Sequence, residues 1–254
     1  MDLKEEVQGL VMREGANLVG VATPERFEGA MKGHHPLDLV PNAKSIVTFG
    51  IALLGRVCEW EELFKESELV PQDVRLDILQ NYVYRTVGYD LVNDLLNLIA
   101  LRLANFLEAQ GYRSFFLPAT YGQYHREVSA KIPGGRGLFS QRHAAVRAGL
   151  GEFGLNNVVV TRQYGPRVRF NSVITEAPLA PDPLLQEKAC LGLKCSLCVD
   201  NCPGAITVRD GVDPQEVWYD PPSRTDIEAC GALRPQHYCF GRCIRICPVG
   251  KKGS

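Results

Sequence analysis

Eight of the nine cysteines in this 254-residue chain lie between positions 190 and 247, and this crowding limits what the chain can fold into more than any other feature. They form two runs, Cys190-x4-Cys195-x2-Cys198-x3-Cys202-Pro203 and Cys230-x8-Cys239-x3-Cys243-x3-Cys247-Pro248. The residues around them are poor in apolar side chains. A core that small cannot offset the conformational entropy lost on ordering the chain. Cross-links or bound metal must supply the difference.

Disulfides, zinc and iron–sulfur clusters are the alternatives, and compartment and spacing sort them. The start, Met1-Asp2-Leu3-Lys4-Glu5-Glu6, carries no apolar run of the secretory kind. The most apolar stretch, 95–107, is interrupted by Asn97, Arg102 and Asn105, so no membrane span is expected. The expected location is cytoplasmic, where thiols stay reduced and clustered cysteines serve as metal ligands. Zinc favours two separated C-x2-C pairs, and only Cys195/Cys198 has that spacing.

Two-cluster ferredoxins instead use C-x2-C-x2-C-x3-C-P, in which the last cysteine serves the other cluster. The tail Cys195-x2-Cys198-x3-Cys202-Pro203 has that spacing; the leading gap is longer, and the second run is looser at both gaps. Crossed sharing predicts one 4Fe-4S cluster on Cys190, Cys195, Cys198 and Cys247. A second falls to Cys202, Cys230, Cys239 and Cys243, with Cys230 furthest from the pattern. Cys58, alone among apolar residues, reads as a small buried hydrophobe.

The remainder reads as a globular domain of mixed helices and strands. Hydrophobic residues make up 45% of the sequence, enough for a packed core, and 28 basic against 29 acidic residues give a net charge of −1. Such a balance exerts no general pull on nucleic acid or anionic membrane, so neither partner is expected. Apolar spacing predicts a helix from Leu3, strands at Leu18–Ala22 and 45–53, helices over 74–87 and 90–110, and a short helix over 139–148. In the longest helix Leu91, Leu95, Leu98, Ile99, Ala100 and Leu103 form the apolar stripe, and Gly111 caps it. Strands at 157–161 and Val168–Thr175, joined by the Tyr164-Gly165-Pro166 turn, read as a hairpin. The proline-rich stretch 176–188 marks a boundary, giving domains 1–180 and 181–254.

Two segments carry candidate chemistry. The loop 118–137 is long for a compact domain. It holds Tyr121, Tyr124 and His125, candidate proton donors, with Arg126 and Arg136. Gly149-x-Gly151-x-x-Gly154 matches a dinucleotide fingerprint, but a helix precedes it and a strand follows, the reverse of a Rossmann turn. Those glycines read as points of close backbone approach. His34 and His35 read as loop residues.

Residues 139–179, with Ala148-Gly149-Leu150-Gly151, Tyr164-Gly165-Pro166 and the two Cys-Pro motifs after them, resemble the iron–sulfur superfamily of epoxyqueuosine reductase and the reductive dehalogenases. The resemblance implies an α+β fold: a nitroreductase-like domain followed by a ferredoxin-like module with two 4Fe-4S clusters. It also implies a base-off corrinoid (cobalamin) approached by Gly149 and Gly151, with Arg142 near the cofactor. Ferredoxin or flavodoxin would supply electrons for a two-electron reduction of a small molecule. The sequence departs from that pattern in three ways. Gln141 stands where epoxyqueuosine reductases carry an acidic residue, and no export signal of the dehalogenase kind is seen. Seven residues follow Cys247, so the helical repeats of the epoxyqueuosine branch are not expected. The expected function is a corrinoid-dependent iron–sulfur oxidoreductase. The alternative is an electron-transfer protein without substrate chemistry of its own, and a flavin-using domain ranks third.

Overall fold

A computed structural model describes residues 2–119, 137–237 and 239–251, without the side chains of 233–236. Its strands are β1 (Leu18–Ala22), β2 (Ser45–Ala52), β3 (Ser114–Phe116), β4 (Glu152–Phe153), β5 (Val159–Val160), β6 (Val168–Thr175), β7 (Ile206–Val208) and β8 (Ser223–Thr225). The chain divides into two compact units. The first comprises Met1–Ala52, Asn93–Leu150 and Arg169–Leu185; the second comprises Leu53–Val92, Gly151–Val168 and Gln186–Ser254.

The first unit is built on a four-stranded sheet in the order β1-β2-β6-β3. β1 and β2 run antiparallel, Leu18 opposite Gly50 and Ala22 opposite Ile46, and β3 runs antiparallel to β6. Seven of the eight β2 residues are buried, so both faces of this strand are covered. That explains its near-continuous apolar run, where an alternating pattern would mark a half-exposed strand. Phe27, Ile46, Phe139, Ala144 and Ile174 share one apolar cluster with their neighbours. The helix Gln141–Arg147 ends close over β1: a Cβ on Gly20 would run into the Ala148 carbonyl.

Helix Leu3–Arg13 begins with a capping box in which Asp2 accepts from the Glu5 amide and Glu5 returns the bond. The long helix is Leu91–Ala109, closed by Gly111 at φ +88°. Its buried stripe is Leu96, Ile99, Ala100, Leu103, Ala104 and Leu107. Leu91 and Leu98, expected in that stripe, are exposed, because the true inward face is rotated toward positions 96, 100 and 107.

The second unit packs Val57, Trp60, Leu79 and Tyr84 together, with Phe240 against them. The single helix expected over 74–87 is instead an α-helical turn, Gln72–Ile78, running into a π-helix, Leu79–Asp90. Its buried positions, Leu79, Gln80, Tyr84 and Gly88, recur every four or five residues, the wider period of an i→i+5 helix. The hairpin expected from 157–161 and Val168–Thr175 does not form. β5 pairs antiparallel with β4, while β6 lies in the four-stranded sheet. The turn closes on itself through a Thr161–Gly165 bridge and releases the chain in another direction.

Candidate metal centre

The two cysteine runs share a backbone design. Ser196 (φ +43°) and Gly241 (φ +73°), each six residues before a Cys-Pro, adopt the left-handed conformation. Each starts a four-residue helix, Leu197–Asp200 in the first run and Arg242–Arg245 in the second. The two runs thus repeat one turn, which presents Cys198 and Cys243 from equivalent positions.

Cys190, Cys195, Cys198 and Cys247 line one cavity, with Leu155, Val160 and Leu197. Cys247 joins the first run's thiols although it ends the second run. The other four thiols are neighbours of one another. Cys243 feels Cys239, Cys230 and Cys202, Cys239 feels Cys202 and Cys230, and Cys198 of the first group also feels Cys243. Cys230, the residue with the longest spacing, is in this second group.

Burial is the main force on these thiols, and for Cys198 and Cys243 adjacent thiols are the next. Together they push Cys198 and Cys243 up to about 12. Burial likewise raises Cys190, Cys239 and Cys247. Such groups ionise only when a cation takes the charge, as a metal does for a coordinating thiol. Among the described residues no group of three or more His, Cys, Asp or Glu side chains converges tightly enough for a single ion. A tetrahedral zinc with bonds of about 2.3 Å needs that convergence. A four-iron cluster binds each sulfur to a different iron and spreads its ligands further apart. The donor set, four thiols around a cavity in one case and thiol neighbours in the other, is of the all-thiolate kind that an iron–sulfur cluster takes.

Three residues that the sequence reading passed over support these segments. Glu152, fully buried inside the glycine motif, accepts from the backbone N–H groups of Ala189 (2.5 Å), Cys190 (2.7 Å) and Trp218 (2.9 Å), and from Lys188 Nζ (3.3 Å). Asn156 Nδ2 donates to the Cys243 carbonyl at 3.1 Å. Arg167 donates to the carbonyls of Ile244 (3.1 Å), Cys247 (3.0 Å) and Val249. A legible signal existed for Glu152, since a lone acid in an apolar, glycine-rich stretch has to be buried with partners.

The other anticipated residues fare differently. Tyr121, Tyr124 and His125, with Arg126 and Arg136, lie outside the described residues. Arg142 has an exposed side chain, although burial of its surroundings lowers its pKa; a guanidinium stays charged regardless. Gln141 donates to Asn171 at 3.0 Å and accepts from Ser172 at 2.7 Å, so its amide is spent on internal bonds. A Cβ on Gly149 would meet the Pro183 carbonyl, and one on Gly151 would lie 2.5 Å from the Val160 carbonyl. The chain's own backbone therefore accounts for both glycines, and for a corrinoid the described residues offer no donor set comparable to the thiols. His34 Nδ1 lies 3.1 Å from the carbonyl of the sequence-distant Leu138, and His35 Nδ1 accepts from the Leu37 amide.

No family model matches the chain. It is 24% identical over 230 residues to the epoxyqueuosine reductase of Bacillus subtilis, an alignment that covers 82% of this chain and 52% of the relative. It is 31% identical over 123 residues to a tetrachloroethene reductive dehalogenase of Desulfitobacterium hafniense, covering 42% of this chain and 21% of the relative. Among solved structures, the epoxyqueuosine reductase of Streptococcus thermophilus superposes with a TM-score of 0.63 at 17% identity, over 100% of this chain and 68% of that one. An epoxyqueuosine reductase bound to a tRNA stem loop gives 0.54 at 22%, over 79% and 52%. A reductive dehalogenase described as B12-dependent gives 0.60 at 19%, over 98% and 32%. The fold is therefore of the kind seen in both groups, and these likenesses support membership of the superfamily that holds them. The chain spans about half the length of the Bacillus subtilis relative.

Proposed function

We propose that this chain is an iron–sulfur oxidoreductase of the epoxyqueuosine reductase and reductive dehalogenase superfamily, with a nitroreductase-like part and a ferredoxin-like part that carries two 4Fe-4S clusters. A reductase kind of activity is common to the relatives. The observation that carries the cluster reading is the grouping of Cys247 with Cys190, Cys195 and Cys198 around one cavity. Bound clusters would supply one-electron transfer. The chain holds them by its cysteines and limits the access of water to them with Leu155, Val160 and Leu197.

For the reaction itself we propose a two-electron reduction at a corrinoid, fed by ferredoxin or flavodoxin. Its support is the B12-dependent relative. The proton donors in this reading are Tyr121, Tyr124 and His125, with Gly149, Gly151 and Arg142 near the cofactor. A small molecule is the first substrate class. A nucleic-acid stem loop joins it, against the expectation from the near-zero net charge, because one relative was solved with a tRNA stem loop. The second reading, electron transfer without substrate chemistry, is favoured by Gln141, whose amide bonds to Asn171 and Ser172 and supplies no acid.

Anaerobic reconstitution tests the cluster reading: iron and sulfide near eight per chain are expected, and Cys247→Ser should halve both. Retention of full iron by Cys247→Ser refutes the crossed assignment. Titration with cobalamin then separates the two functional readings, since an unchanged visible spectrum would remove the corrinoid. Fluorescence anisotropy with a labelled anticodon stem loop decides between the substrate classes.

A further inference from the structure

The turn 163–167 does not pair into the hairpin that its sequence suggests, and the structure shows what it does instead. It seats against segment 247–250. Gly165 (φ +57°) and Gly250 (φ +67°) face one another so closely that a Cβ on Gly165 would strike the Val249 carbonyl, and one on Gly250 would strike the Gly165 amide. Arg167, 6% exposed, reaches across the same contact. Its Nη1 donates to the carbonyls of Ile244 and Cys247, and its Nη2 to that of Val249. One planar fork thus spans the Cys247-Pro248 corner on both sides.

Arg167 also differs from three other described cations near the cysteines. Lys188 is offset by the buried Glu152, and Arg245 is paired with Glu61 and Glu62. Arg242 lies 3.8 Å from Glu61. The partners of Arg167 among the described residues are neutral carbonyls. A buried guanidinium remains ionised, and a full charge in a poorly hydrated place acts strongly on what lies beside it.

We propose that Arg167 is a positioning residue for the site formed by Cys190, Cys195, Cys198 and Cys247: it fixes the Cys247 corner, and its buried charge, held by backbone carbonyls, raises the reduction potential of a cluster held there. The proposal rests on the two-cluster reading above. Reduction places one electron on the iron–sulfur unit, makes and breaks no bond, and leaves the unit one charge more negative. A fixed positive charge beside it therefore favours the reduced form, which is how local charge and hydrogen bonding tune such potentials. Among the described residues, the arginines beside the second thiol set, Arg242 and Arg245, face Glu61 and Glu62.

The test uses the full reconstituted chain in the wild-type, Arg167→Gln, Arg167→Lys and Cys198→Ser forms. Iron and sulfide are measured, and dithionite titrations are followed by electron paramagnetic resonance. Cys198→Ser identifies which signal belongs to the first set. In Arg167→Gln that signal should titrate at a lower potential, or be lost selectively, while the other stays in place. Arg167→Lys, which keeps the charge, should restore most of the shift. Full iron with both potentials unchanged in Arg167→Gln overturns the proposal and leaves the cluster reading intact. Equal loss of both clusters in Arg167→Gln and Arg167→Lys also overturns it, because Arg167 would then only hold the fold. A wild-type chain that takes up no clusters defeats the underlying reading instead.

Discussion

Replacing Glu152 by Gln changes one carboxylate into an amide of nearly the same shape and isolates what this buried group contributes. Oε1 accepts from the Ala189 and Cys190 amides, and Oε2 from Trp218 N and Lys188 Nζ. A glutamine oxygen can keep the first pair. Its NH₂ must then face the Trp218 amide and the Lys188 ammonium, so two donors confront a donor. Hydrogen bonds to a charged group contribute about 1.5–3 kcal/mol each, and breaking a buried pair from one side costs about 3–5 kcal/mol. Lys188 is held over the Trp218 ring at 3.3 Å, which limits its freedom to turn away. The expected loss is therefore about 3–5 kcal/mol. At about 2–4 °C per kcal/mol for a chain of this size, the melting temperature should fall by roughly 6–20 °C. Differential scanning calorimetry of the anaerobically reconstituted protein measures it, and hydrogen exchange at the Ala189 and Cys190 amides localises it. A melting point within about 2 °C of wild type, with both amides still protected, would refute the argument that this carboxylate organises the start of the first cysteine run.

Other substitutions test other parts. Gly165→Ala puts a side chain at φ +57° and against the Val249 carbonyl, so a loss of at least about 1–3 kcal/mol is expected in denaturant titration. Leu103→Ala, at a fully buried position of the long helix, should cost about 2–5 kcal/mol by the same measurement. Cys58 carries a pH prediction, because burial raises its thiol from 9.0 to about 11. In the unfolded chain that thiol ionises first, so its contribution is whole below pH 9 and is lost as pH climbs through 11. The loss totals about 3 kcal/mol. Cys58→Ala should flatten the alkaline limb of a stability–pH curve; an unaltered slope between pH 9 and 11 would contradict the assignment.

Local signals in the sequence located most elements. The apolar run at 45–53 became β2, and Gly111 closed the long helix, because burial on both faces and a left-handed cap leave direct marks on residue choice. The Cys-Pro ending is the local signal at Cys247, which lines one pocket with Cys190, Cys195 and Cys198. The phase of the long helix was misjudged at Leu91 and Leu98 because a Leu-rich helix has more than one plausible apolar face.

What the amino-acid order decides by itself is short-range: periods, caps, the spacing of thiols along a turn, and an apolar content sufficient for one core. Pairing over long separations was decided only in the folded chain. β5 turned to β4 and not to β6, and the turn 163–167 met segment 247–250. Residues Leu53–Val92 and Gly151–Val168 fell in with the cysteine-rich segment rather than with the residues that flank them in sequence. Such choices depend on which buried polar groups find partners. Glu152 needed the Cys190 amide and Arg167 needed the Cys247 carbonyl, and neither requirement is visible from the residues adjacent to them.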